Sequence, residues 1–141
     1  MPAPMPQMIC FSLYAATHAM QRVYKPLLDA LGLTYPQYLV LLALWAADAQ
    51  TVGQLGQAMQ LESNTLTPLL KRLAAQGLVS RARDTSDERQ VRITLTDPGR
   101  AMQARAAHIP ACILDKSGMT LTALTALRDQ VNGLRDQLRQ S

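Results

Sequence analysis

The sequence predicts a mainly α-helical fold with a small β-hairpin wing (α+β): a winged helix-turn-helix framed by two long terminal helices. Three observations predict it. Leu66, Leu69, Leu70 and Leu73 recur at helical spacing within SNTLTPLLKRL. Leu78–Arg83 and Gln90–Leu95, on either side of the loop DTSDER, alternate apolar and basic residues as half-buried strands do. Apolar stripes at both ends of the chain exceed what a small winged core can cover.

The elements follow in order. About Gln7 to Ala30 reads as a first helix with the stripe Ile9, Leu13, Ala16, Met20, Val23, Leu27 and Leu31, kinked at Pro26. Thr34 caps a second helix from about Tyr35 to Ala46, apolar nearly all round and so placed at the centre. Thr51–Val52 is placed to add a short third strand. Gly53–Met59 leads the helix-turn-helix, and Leu61–Gln76 is its reading helix, capped by Ser63 and stopped by Gly77 at C′. Asp97 caps the next helix, with Pro98 at its first position, and that helix breaks near Pro110. Thr120 to about Gln140 is a final helix carrying Leu121, Leu124, Leu127, Val131, Leu134 and Leu138. The expected organisation is one domain over 1–141, in which 1–32 and 97–141 supply dimerisation helices around a winged core at 33–96. A homodimer also fits two reading heads on a palindromic site.

Composition narrows the class. A chain of 141 residues buries roughly two-thirds of its unfolded surface as one domain. One Trp and one Phe leave an aliphatic core. No apolar run reaches the roughly 18 to 20 residues of a membrane span, and MPAPMPQMIC lacks a basic n-region, so a cytoplasmic protein without membrane contact is expected. Two cysteines, Cys10 and Cys112, make no zinc spacing; neither metal nor cofactor is expected.

A cationic helix and hairpin can be no more than a solvated face. Here the charge is local: residues 71–100 hold seven basic and four acidic residues of a chain whose net charge is +4. That concentration is the footprint of phosphate contacts with double-stranded DNA. Asn64, Thr67, Pro68 and Lys71 fall opposite the leucine stripe, a small, polar and basic face suited to the major groove. Ser63, Thr65, Arg72 and Arg81 complete the candidate DNA-binding set, with Arg89 at the wing tip placed for a narrow minor groove.

Cys10 together with LGLTYPQYLVLLALW (31–45), SNTLTPLLKRL (63–73), GLVSR (77–81) and DERQVRITLT (87–96) resembles the MarR family. Within it, the chain is similar to the organic-hydroperoxide resistance regulators (OhrR), of the two-cysteine type. The similarity covers nearly the whole chain, departing at Asn64, where a glycine is expected, and at Pro98. The resemblance implies a DNA-binding repressor released when organic hydroperoxide oxidises Cys10, with the sensing site at the dimer interface. It also implies that Cys112 is the resolving thiol on the other subunit.

The residues give that sensor a physical case. Cys10 lies near the start of its helix, where the dipole favours a thiolate. Tyr14, Tyr24 and Tyr35 can donate phenol hydrogen bonds to it, since no Lys or Arg lies close in sequence. Tyr14 shares the face of Cys10; Tyr24 lies about 21 Å along a straight helix and can reach only a partner's thiol. Two alternatives stay open: a MarR-type repressor released by a small aromatic ligand, and a thiol peroxidase, whose basic wing would have no purpose.

Overall fold

The computed structural model describes residues 4–140; Met1, Pro2, Ala3 and Ser141 lie outside the described residues, and with them the start of the N-terminal segment read above. The chain divides into two compact units, Met1–Ala107 and His108–Ser141.

The first unit opens with a 3-10 turn, Met5–Gln7, followed by α1 (Ile9–Asp29) and α2 (Tyr35–Ala46). β1 (Gln50–Thr51), α3 (Val52–Met59), α4 (Ser63–Ala75), β2 (Val79–Arg83), β3 (Val91–Leu95) and α5 (Asp97–Ala106) complete it. α2 starts at a reciprocal cap in which Thr34 accepts from the Gln37 N–H and Gln37 from the Thr34 N–H. Its Val40, Leu41 and Leu44 are fully buried with Leu55, Leu66, Leu70, Leu73 and Ile93, so α2 is the central helix, as its all-round apolarity predicts. Each such side chain contributes roughly 1.5–3 kcal/mol over an exposed one. Trp45 ties α2 to α5 by donating from Nε1 to the Gly99 carbonyl at 2.9 Å.

The sheet is antiparallel in the order β1-β3-β2, with Arg81 opposite Ile93 and Thr51 opposite Arg92. Ile93 and Leu95 face inward as the alternation predicts, but in β2 only Val79 is buried. β2 is an edge strand, and beyond Val79 it runs out into the wing.

Several boundaries differ from the sequence reading. Ser63 is not the cap of α4: Glu62 is the last extended residue, and Ser63 is already helical. Asp97 is likewise inside α5, because Thr96 takes the cap and accepts from the Gly99 N–H at 3.1 Å. The short strand is Gln50–Thr51 rather than Thr51–Val52, since Thr51 also caps α3 and commits Val52 to the helix. α1 continues through Pro26 to Asp29. Its stripe is not a core stripe throughout: Ile9 and Met20 are exposed, and Leu28 is the residue of α1 that is buried.

The second unit holds α6 (Ile109–Ser117) and α7 (Leu121–Arg139), separated by Gly118 at φ +67. The break after α5 falls at Ala107–His108, with Pro110 in the first turn of α6. Thr120 caps α7 by accepting from the Ala123 N–H at 3.1 Å. α7 exposes Leu121, Leu127, Val131 and Leu138.

Candidate nucleic-acid interface and thiol site

α3 and α4 form a helix-turn-helix. The turn needs Gln60 in the left-handed region (φ 58), and the Leu61 N–H donates to the Gly56 carbonyl at 2.9 Å. That close return explains the glycine: a Cβ at position 56 would stand 2.8 Å from the Leu61 carbonyl oxygen. Leu66, Leu69, Leu70 and Leu73 are buried and leave Ser63, Asn64, Thr65, Pro68, Lys71 and Arg72 exposed, with Thr67 half-buried. α4 ends at Ala75, and Gly77 follows at φ +77 in the expected position.

An open groove of about 690 Å³ runs between the start of α3, the outer face of α4 and the wing, lined by Thr51, Gln54, Ser63, Thr67, Arg81 and Arg89 among others. Its walls bring Ser63 and Thr67 of α4 together with Arg81 and Arg89 of the wing; Asn64, Thr65, Pro68, Lys71 and Arg72 are exposed on α4 outside its lining. Among the described residues Lys71, Arg72 and Arg81 make no ion pair, which leaves three cations for an external anion. Arg89 is almost wholly exposed at the wing tip, with Nε 3.2 Å from Asp87 Oδ1. Such an exposed pair is worth about 0–1 kcal/mol and yields readily to a phosphate.

Two wing residues were missed in the sequence. Asp84 is buried and accepts from Arg92 Nε at 3.2 Å and from the Ser86 hydroxyl at 2.9 Å. The Arg92 guanidinium, then the Ser86 hydroxyl, hold its carboxyl below the ordinary range. The available signal was a basic residue on a strand, directly between the apolar Val91 and Ile93, with the acid at the start of DTSDER.

Cys10 is the second residue of α1, exposed, with no side chain capping the helix start. Tyr14 is also exposed, and its ring stacks on His18 with centroids 4.4 Å apart. Tyr24 and Tyr35 sit elsewhere, half-buried, with centroids 4.9 Å apart and Tyr38 6.1 Å from Tyr24. Burial, and then the neighbouring phenols Tyr35 and Tyr38, push Tyr24 up to about 12, so it remains a protonated donor at any physiological pH. Within one chain Cys10 and Tyr14 stand about one turn apart on α1, while Tyr24 and Tyr35 form a separate pair. Cys112 is a half-buried free thiol inside α6 and belongs to the second unit, whereas Cys10 belongs to the first. α6 is regular there: the Cys112 N–H donates to the His108 carbonyl at 3.1 Å.

A profile of the family described as transcriptional regulator SarA/Rot matches residues 22–105, from the second half of α1 through the wing and most of α5. The chain belongs to this family of MarR-type transcriptional regulators. Relatives extend the match to nearly its full length. This SarA/Rot-family chain is 48% identical to the HTH-type transcriptional regulator TtmR of Methylorubrum extorquens, over 97% of this chain and 70% of that protein. It is 45% identical to the organic hydroperoxide resistance transcriptional regulator of Bacillus subtilis, over 94% and 90%. Reduced AbfR bound to DNA superposes with a TM-score of 0.81 at 38% identity, covering 94% of this chain and 90% of that one. The disulfide form of AbfR superposes less well, at 0.66 with 39% identity, covering 94% and 88%.

Proposed function

We propose that this regulator is a homodimeric, thiol-based repressor that holds operator DNA when reduced and releases it when an organic hydroperoxide oxidises Cys10. The observation that carries the reading is the placement of Cys10: an exposed thiol in the first turn of α1, in a chain 45% identical to an organic hydroperoxide resistance regulator. A phenol is the donor suited to a thiolate there, because it stabilises the charge without a competing cation. Tyr14 supplies one from the same helix face; Tyr24 and Tyr35 supply others from the partner subunit.

The chemistry is a two-step displacement. The Cys10 thiolate attacks the distal oxygen of the hydroperoxide, the O–O bond breaks, and the leaving alkoxide takes a proton to depart as alcohol. The resulting sulfenic acid condenses with Cys112 of the partner, forming the disulfide and releasing water. Loss of the thiolate removes the charge that the phenols hold. To lower operator occupancy a hundredfold, the oxidised form must disfavour the binding state by about 2.7 kcal/mol. Without a recycling reductant each active thiol consumes about one peroxide, as a sensor rather than an enzyme does, and reduction by an external thiol resets it.

DNA engages Ser63, Asn64, Thr65, Thr67, Pro68, Lys71 and Arg72 of α4 through the major groove, Arg81 through the backbone and Arg89 through the minor groove. The exposed Ile9, Tyr14 and Met20 of α1, and Leu121, Leu127, Val131 and Leu138 of α7, supply the dimer surface. The setting is the cytoplasm, where reducing conditions keep both thiols free until challenged. A mobility-shift assay with and without an organic hydroperoxide tests this reading. Release by peroxide that dithiothreitol reverses supports it; binding indifferent to peroxide contradicts it.

A further inference from the structure

We infer that Asn64 reads an adenine in each half-site of the operator and is a specificity-determining residue of α4. The inference rests on the DNA-binding reading above and adds the base it selects.

Asn64 is the second residue of α4, and a helix-turn-helix brings the N-terminal residues of its second helix to the base edges. The side chain is exposed and engages no hydrogen-bond partner among the described residues. Its neighbours on that face are less able to discriminate. The Thr67 hydroxyl donates to the Ser63 carbonyl at 2.8 Å, so its donor is already engaged. Pro68 presents only carbon. Ser63 and Thr65 offer a single hydroxyl oxygen each, which accommodates donors and acceptors alike. Lys71 lies about 10 Å further along the helix and carries a donor without an acceptor.

Asn64 alone among them presents a donor and an acceptor side by side. That pair complements adenine in the major groove: the Asn64 carbonyl oxygen accepts from N6–H, and its amide N–H donates to N7. Guanine offers two acceptors there, cytosine a donor alone, and thymine an acceptor and a methyl group. None satisfies both halves of the carboxamide.

The test is selection of binding sequences from a pool of random duplexes by the reduced full chain, the Asn64→Ala variant and the Asn64→Asp variant. Wild type should enrich sites with adenine at one pair of symmetry-related positions. Asn64→Ala should lose about fivefold to a hundredfold of the discrimination at those positions. Its preferences elsewhere, its salt dependence and its thermal melting should match wild type, because the side chain is exposed. Asn64→Asp should move the preference there toward cytosine, whose N4–H₂ a carboxylate accepts. An unchanged adenine preference in Asn64→Ala overturns the inference. So does an even loss of affinity across all sequences, which marks a phosphate contact. A wild-type protein that enriches no sequence overturns the DNA-binding reading itself, and the contact with it.

Discussion

Arg92 Nε lies 3.2 Å from Asp84 Oδ1, and the same guanidinium donates through Nη1 to the Ala49 carbonyl. One side chain thereby joins the base of the wing loop to the turn between α2 and β1, where Ala49 holds φ +58. The Asp84 pKa is lowered in the fold by Arg92 first and Ser86 second, so its contribution is full above the ordinary carboxylate pKa and is lost as pH falls below that value through the lowered folded one. Urea midpoints measured from neutral to acidic pH should show less acid sensitivity in Asp84→Asn than in wild type. Equal slopes would mean the pair does not stabilise the wing.

Arg89→Ala and Lys71→Ala should weaken DNA binding in different ways. Arg89 stands at the wing tip with only an exposed pair to Asp87 to break. Its loss should lower affinity for most sequences and reduce the salt slope by about one unit per wing. Lys71 lies on the α4 face, and its loss should fall more heavily on the selected site than on unrelated DNA. Titrations at several salt concentrations measure both, and an unchanged slope in Arg89→Ala would remove the wing from the interface.

Two glycines of α3 should respond in opposite directions to the same added methyl. At Gly56 a Cβ meets the backbone carbonyl of Leu61 at 2.8 Å, and the turn must shift; Gly56→Ala should cost about 1–3 kcal/mol. At Gly53 the nearest atom is Thr51 Oγ1 at 3.9 Å, so Gly53→Ala should gain about 0.5–1 kcal/mol from helix propensity. Thermal melting of both variants checks the contrast.

Cys112 should determine the covalent state of the oxidised protein. With Cys112 present, peroxide should give a disulfide-linked dimer on a non-reducing gel; Cys112→Ser should stop at sulfenic acid and overoxidise. Mass spectrometry of an oxidised monomer carrying an internal Cys10–Cys112 link would refute the cross-subunit route.

The helical periods were legible because burial follows them: every leucine of the α4 stripe is buried, and the apolar α2 is central. Caps were less legible, since Ser63 and Asp97 are good capping residues beside others that the backbone uses instead. Local sequence does not say which of two neighbours is the last extended one. The α1 stripe mixes intrachain packing with surface left exposed in one chain, a distinction that periodicity does not carry. The separation of Tyr24 from Cys10 was readable from helix rise alone, whereas its pairing with Tyr35 of α2 was not. The Asp84–Arg92–Ala49 link was not, because it depends on strand register and on a turn far away in sequence.

The most direct test of the account is operator binding by Cys10→Ser before and after organic hydroperoxide. The variant keeps α4, the groove and the wing, so it should bind as tightly as reduced wild type and stay bound when peroxide releases wild type. Release of Cys10→Ser at the wild-type rate would contradict the assignment of Cys10 as the sensing thiol.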